Sequence, residues 1–314
     1  MHPDRATLMM LAGIAGILVL ASAIVGLLKL RQPPGAATPV IVNLAARVRA
    51  WWVMAGIFTV ALFTGGIGSV ILFALTSFFA LREFITLTPT RAADHRVLFW
   101  AFFVVIPIQY YLVATRWYGL FAVFIPVYVF VFVPIRCALA GDSERFLERT
   151  AKIQWALMVC VYFVSYVPAL LMLDIPGYAH ANARLLLFFV LVVQISDVLQ
   201  YVWGKLFGRR KIAPTLSPNK TWEGFVGGVA SATGIGALLW WATPFSPAQA
   251  AALSLVITLM GFCGGLVMSA IKRDRGVKDY GAMIEGHGGV MDRIDSICFA
   301  APVFFHLVRY YFTP

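Results

Sequence analysis

RLLLFFVLVVQISDVLQYVWGKL, residues 184–206, is long and apolar enough to cross a bilayer as one helix, yet it carries an acid in its middle. Gln194, Asp197, Gln200, Tyr201, Gly204 and Lys205 recur at spacings of three and four. They share one helix face, which is expected to look into the protein or a wet cavity. A carboxylate so far from either end of a crossing is costly without a partner. Asp197 is therefore read as functional, the alternative being a structural pair with Lys205 two turns on.

Comparable apolar runs occur near 7–28, 51–63, 66–81, 97–114, 118–135, 153–173, 225–242, 250–270 and 292–308. With the first, they predict an all-α, polytopic integral membrane protein of about ten transmembrane helices. The composition agrees: 61% of the 314 residues are hydrophobic and 12% charged, and the mean hydropathy is +0.85. A soluble domain of this length needs far more surface charge.

Residues 7–28 are read as a retained helix, although Ala21, Ser22 and Ala23 resemble a cleavage site. Residues 32–50 form either a plain linker or an interfacial segment with Arg47 and Arg49 facing headgroups.

The net charge of +11 does not point to nucleic acid, because the cations sit in short loops and form no continuous basic face. They set topology. With loops assigned alternately, all of the 25 Lys and Arg except Arg5, Arg116, Arg184 and Arg309 fall on one side, the expected cytoplasmic side, and both termini face outward. Cys137, Cys160, Cys263 and Cys298 are scattered without metal or disulfide spacing. The hydrophilic stretch 142–152 is read as a solvated loop or helix end.

Two loops hold the remaining polar chemistry. GRRKIAPTLSPNKTWEG, residues 208–224, is barred from continuous helix by Pro214, Pro218 and Gly224, and supplies Ser217, Lys220, Thr221 and Glu223. SAIKRDRGVKDYGAMIEGHGGVMDRIDS, residues 269–296, packs five cations and five acids around Gly286, His287, Gly288 and Gly289. A cation-bridged polyphosphate requires carboxylates, ammonium or guanidinium groups and closely approaching backbone N–H groups. Phosphoryl or nucleotidyl chemistry at a membrane surface is the expectation.

The spacing resembles the signature of the phosphatidate cytidylyltransferases (CDP-diacylglycerol synthases), S-x-x-K-R, four residues, K-D, then H-G-G-x-x-D-R-x-D. It is matched at Ser269, Lys272, Arg273, Lys278, Asp279, His287, Gly288, Gly289, Asp292, Arg293 and Asp295. The family's other segment, an aspartate-bearing helix followed by G-R-x-x-x-A-P-x-x-S-P-x-K-T-x-E-G, is matched at Asp197, Gly208, Ala213, Pro214, Ser217, Pro218, Lys220, Thr221, Glu223 and Gly224. Glu285 replaces a usual proline, and Gly265 and Met268 stand where an aspartate and a glutamate are usual. The resemblance divides the chain into amino-terminal transmembrane helices, 1–180, and a carboxy-terminal catalytic region, 181–314, within one membrane unit.

It implies condensation of CTP with phosphatidate to CDP-diacylglycerol and pyrophosphate, in the inner membrane of a bacterium with the active site facing the cytoplasm. Asp292 and Asp295, three apart at the start of the last helix, are assigned to Mg²⁺ with Asp197 as third acid, beside room for a second cation, monovalent or divalent. Lys272, Lys278, Arg273, Lys220 and Ser217 are expected on phosphates, with Arg293 and Ser269 beside them, while Glu223 orders its loop. Lys272, Arg273 and Lys278 read alternatively as helix-end and topology cations. Asp279 binds metal or pairs with Lys278; His287 is a structural imidazole or an acid–base group; Gly288 and Gly289 present N–H groups to an oxyanion. A homodimer fits this scheme. The alternatives are a related cytidylyltransferase acting on another phosphorylated lipid, an inactive paralogue, and, in a different class, an ion-coupled secondary transporter with Asp197 as its ion site.

Overall fold

The computed structural model describes residues 4–31, 38–178, 181–286 and 288–314. Ten helical rods follow one another among them: α1 (Arg5–Leu30), α2 (Pro39–Phe63), α3 (Gly65–Leu87), α4 (Ala92–Ala114), α5 (Tyr118–Ala138), α6 (Phe146–Met172), α7 (Asn182–Phe207), α8 (Trp222–Leu238), α9 (Pro247–Asp274) and α10 (Met291–Phe312). Eight are long and apolar enough to cross a membrane. The other two are α8, which has only 17 residues, and α10, which opens on charged residues. The all-α polytopic expectation and its approximate helix number agree with this architecture.

Local chemistry sets many of the helix ends. Asp4 accepts the Thr7 N–H at 2.9 Å to start α1, Thr221 accepts the Gly224 N–H at 3.1 Å to start α8, and Ser246 with Gln249 forms a reciprocal capping box for α9. In α4 and α5 the wider π-type turns Ala101–Val105 and Phe124–Val129 lie against or include Pro107 and Pro126, whose missing N–H groups cannot continue the ordinary ladder. The largest boundary difference from the sequence expectation is in α2. The helix expected from residue 51 begins at Pro39, so the described part of 32–50 is neither linker nor separate interfacial segment but the first half of α2. Pro33, Pro34 and Gly35 lie outside the described residues.

The bundle is uneven in depth. Of the apolar window of α6, 72% is buried, against 6% for α2, so α6 is the central post and α2 lies at the lipid-facing edge. Tyr166, Phe188, Phe189 and Phe304, from α6, α7 and α10, are fully buried, with Phe189 and Phe304 stacked at 5.3 Å. The core runs through both halves of the chain. Residues 142–152 are not simply solvated: Arg149 is 5% exposed, bonded to Asp94 at 3.1 Å and to Asp142 at 3.0 Å, which ties the start of α6 to the first turn of α4.

Between α7 and α8 the chain forms a small antiparallel hairpin, β1 (Lys211–Ala213) and β2 (Ser217–Thr221), with Lys211 opposite Thr221 and Ala213 opposite Ser217. It returns α8 directly against α7. A methyl on Gly224 would lie 2.7 Å from Gln200 O, and one on Gly228 would lie 2.6 Å from Gln200 Cα. The two helices therefore touch through backbone, as small residues allow between membrane helices.

Candidate active site

The polar face of α7 is only partly internal. Gln200 and Gly204 pack on α8, whereas Tyr201 is 59% exposed and Lys205 is exposed, its ammonium 5.9 Å from the Tyr201 ring centre. Near the helix end these two can reach the interface, where an aromatic and a long cation are at home. Asp197 turns inward instead. It lies beside Ser296 and within electrostatic reach of Asp295, Lys220 and Arg293, so its surroundings come from α10 and the hairpin and do not include Lys205.

The hairpin brings Lys220 to the same place. Its ammonium sits 4.5 Å above the Phe262 ring and reaches the Phe262 carbonyl at 3.5 Å. Burial lowers its pKa, while Asp197 and Asp295 pull the other way. A Cβ on Gly265 would lie 3.0 Å from Lys220 Nζ, so the ammonium borders the position where the resembled family carries an acid. Glu223 accepts the N–H groups of Arg209 at 3.0 Å and Arg210 at 3.2 Å, which fixes the entry into the hairpin.

Asp292 is the hub of the second segment. Its Oδ1 takes Lys272 Nζ at 2.8 Å, and its Oδ2 takes the N–H groups of Tyr280 at 2.7 Å and Gly289 at 3.0 Å. The Lys272–Asp292 side chains are 12% and 4% exposed, so this pair is shielded from solvent screening. The Gly289 amide is thus spent on an oxyanion of the chain itself rather than offered to a ligand. Gly288, at φ +80°, leaves room for the same carboxylate: a Cβ there would lie 2.7 Å from Asp292 Oδ2.

The remaining expected residues divide by position. Arg273 is exposed and donates to Leu216 O at 3.2 Å and Val277 O at 3.0 Å, bridging the hairpin to the α9–α10 loop. Ser269 bonds back to Gly265 O at 2.6 Å within α9. Ser217 opens β2. Lys278 and Asp279 are exposed and form no ion pair with each other among the described residues. Arg293 Nε is buried without a hydrogen-bond partner among the described residues. His287 lies outside the described residues.

A residue of the first half enters the site unannounced. Glu83 of α3, 8% exposed, accepts the N–H of Val290 and the N–H of Met291, both at 2.9 Å, at the start of α10. Helix N-termini leave such donors unmet and carry partial positive charge, so a carboxylate there is doubly favoured. Gly281 and Gly289 make way for it; a Cβ on Gly289 would lie 2.6 Å from Glu83 Cδ. Glu83 lies just past the apolar run 66–81, beside Arg82, where an acid passes for an ordinary helix-end charge, so no sequence signal marked it. Arg47 and Arg49 of α2 also reach this segment, at Gly286 O (3.2 Å) and Glu285 (3.3 Å). The unusual Glu285 thus has a cation to face.

Among the described residues, no three His, Cys, Asp or Glu side chains form a ready metal cage. Asp197 and Asp295 lie within electrostatic reach of each other, and neither is in a direct ion pair. Mg²⁺ usually takes one or two carboxylates and completes its shell with water and substrate phosphates, so two carboxylates outside any ion pair suit it, Asp295 keeping Oδ2 while Oδ1 accepts the Ser296 N–H at 2.8 Å. The set fits.

Residues 45–311 match the model of the cytidylyltransferase family. The chain is 39% identical over 304 residues to the uncharacterized protein YnbB of Escherichia coli (strain K12), covering 96% of this chain and 97% of that one. It is 40% identical over 120 residues to the phosphatidate cytidylyltransferase of Staphylococcus saprophyticus, covering 38% of this chain and 46% of that one. To the phosphatidate cytidylyltransferase of Mycobacterium leprae it is 37% identical over 171 residues, covering 54% and 53%. The chain spans about half the length of these two relatives.

Proposed function

The chain belongs to the cytidylyltransferase family, and from that premise we propose that it condenses CTP with phosphatidate, giving CDP-diacylglycerol and pyrophosphate, at the cytoplasmic face of a bacterial plasma membrane. The observation that carries this reading is the meeting of two segments far apart in the chain: Asp197 and Lys220 from one, Lys272, Asp292, Arg293 and Asp295 from the other. Family membership favours a transferase over the transporter reading.

In the proposed step an oxygen of the lipid phosphate attacks the α-phosphorus of CTP as the bond to the departing pyrophosphate breaks, so no protein nucleophile is needed. Lys220 and the orphan Nε of Arg293 are the donors best placed to take phosphate oxygens, because a buried cation without a full set of partners gains most from an anion. Asp197 and Asp295 would hold Mg²⁺. Bound there, the cation neutralises phosphate oxygens and orients them for displacement. Asp292 keeps Lys272 and the glycine loop in register, and Glu83 anchors the start of the helix that carries it. Positioning and charge neutralisation then carry the catalysis.

The test is transfer of radiolabelled cytidylyl from CTP by the purified chain in vesicles containing phosphatidate or other phosphate-monoester lipids. Label should enter phosphatidate in an Mg²⁺-dependent manner. Silence with phosphatidate but turnover of another lipid would overturn the substrate and leave a related cytidylyltransferase, a reading favoured by Gly265 and Met268 at the positions of two usual acids.

A further inference from the structure

A second cationic site lies at the far end of α10. Arg309 follows Asp292 by seventeen positions, which at the helical rise sets it ~25 Å away, toward the other membrane face. Here α4, α5, α6 and α10 enclose a cavity of about 60 Å³ whose lining includes Arg116, Tyr118, Met172, Phe305 and Arg309. The Arg309 guanidinium lies 3.7 Å from the Tyr118 ring centre. Arg116 occupies the left-handed region, at φ +58°, in a tight turn closed by Arg116 N–H to Val113 O at 3.0 Å and Tyr118 N–H to Arg116 O at 2.9 Å. A non-glycine residue held this way is strained, and such strain gathers at sites that use it.

The charge there is unbalanced. Two acids belong to this end of the bundle: Asp4 is paired with Arg184 at 3.1 Å, and Asp174 is exposed and in no ion pair with either arginine among the described residues. Arg116 and Arg309 therefore face one cavity without a carboxylate between them. Close in sequence to its lining residues, Tyr111, Trp117, Tyr310 and Tyr311 are 60% exposed or more, the aromatic dressing of a boundary between water and hydrocarbon. Guanidinium groups favour bidentate contact with phosphate, and a cavity of about 60 Å³ takes the phosphate of a headgroup while the rest of the lipid stays outside.

We propose that this cavity binds the phosphate of an anionic phospholipid headgroup in the leaflet opposite the reaction site. It is a lipid site separate from substrate binding, and it stands whether or not the proposed reaction does.

The test uses the full chain in neutral-detergent micelles, titrated with short-chain phosphatidylglycerol, with inorganic phosphate in a parallel arm. Arg116→Gln with Arg309→Gln should weaken phosphatidylglycerol binding about tenfold or more while leaving the unfolding midpoint and CTP binding unchanged. Arg184→Gln, which removes an arginine already paired at the same end, should leave it intact. Equal weakening by Arg184→Gln would mean general surface charge and overturn the site. Inorganic phosphate binding as tightly as the lipid would overturn the headgroup assignment, and unchanged lipid binding in the double variant would overturn both.

Discussion

Replacing Glu83 by Gln isolates what the first half of the chain contributes to the site. The wild-type carboxylate accepts two main-chain N–H groups at 2.9 Å each, in a buried setting at the positive end of α10. Gln keeps one acceptor oxygen and turns its other arm into a donor that meets an N–H head on. One charge-assisted bond, about 1.5–3 kcal/mol, is lost. The charge–dipole attraction, about 0.3–1 kcal/mol, goes with it, for a total of about 2–4 kcal/mol. Since every 1.4 kcal/mol is a factor of ten, the correctly docked start of α10 should become roughly 30- to 700-fold less favoured. Asp292 lies directly after the two residues Glu83 holds, so the damage should appear in kcat more than in the KM for CTP. The assay is cytidylyl transfer alongside the unfolding midpoint in the same detergent. Glu83→Asp, short by one methylene at an unchanged charge, should recover only part of the loss. Activity within twofold of wild type with an unmoved midpoint in Glu83→Gln would refute the reasoning, as would a loss fully explained by the unfolded fraction.

Asp292→Asn should lower the unfolding midpoint, because it leaves Lys272 buried without its partner and weakens the acceptor for two N–H groups, a cost of about 3–5 kcal/mol. Asp295→Asn, which removes a charge within reach of both Asp197 and Asp292, should spare the midpoint yet abolish Mg²⁺-dependent transfer; thermal unfolding and activity on both variants check the contrast. Lys220 has its pKa lowered from 10.5, so CTP affinity should fall as pH rises through that lowered value, and Lys220→Arg should carry the loss to higher pH in a binding titration. Stability runs the opposite way: the unfolded chain binds more protons between the lowered and ordinary values, so this group adds stability as pH rises across that window. Gly265→Asp sets a carboxylate against the Lys220 ammonium and should move the alkaline limb of CTP binding upward by about 1 pH unit or more.

What the sequence disclosed depended on how local the signal was. Hydropathy runs located most helices because each must satisfy its own backbone in lipid, and the spacing of Asp292 and Asp295 set both on one face near the start of α10. Partners across the fold were invisible. Arg47 and Arg49 looked like headgroup cations because nothing in the spacing tells that α2 passes beside Glu285 and Gly286. Pro214 and Pro218 announced a break in helix but not a hairpin that pairs Lys211 with Thr221 and Ala213 with Ser217. Asp292 carried the chemistry of a metal ligand in its motif, and only its surroundings disclose that both its oxygens are taken by donors of the chain.

The glycine contact between α7 and α8 has a mechanical corollary. With Gln200 backbone lying against Gly224 and Gly228, and Trp203 bonded to Ser231 at 3.0 Å beside them, the pair behaves as a single beam. Asp197 is mounted on one rail and Lys220 on the short bracket joining the two, so neither can retreat from the other when a bulky amphiphile arrives.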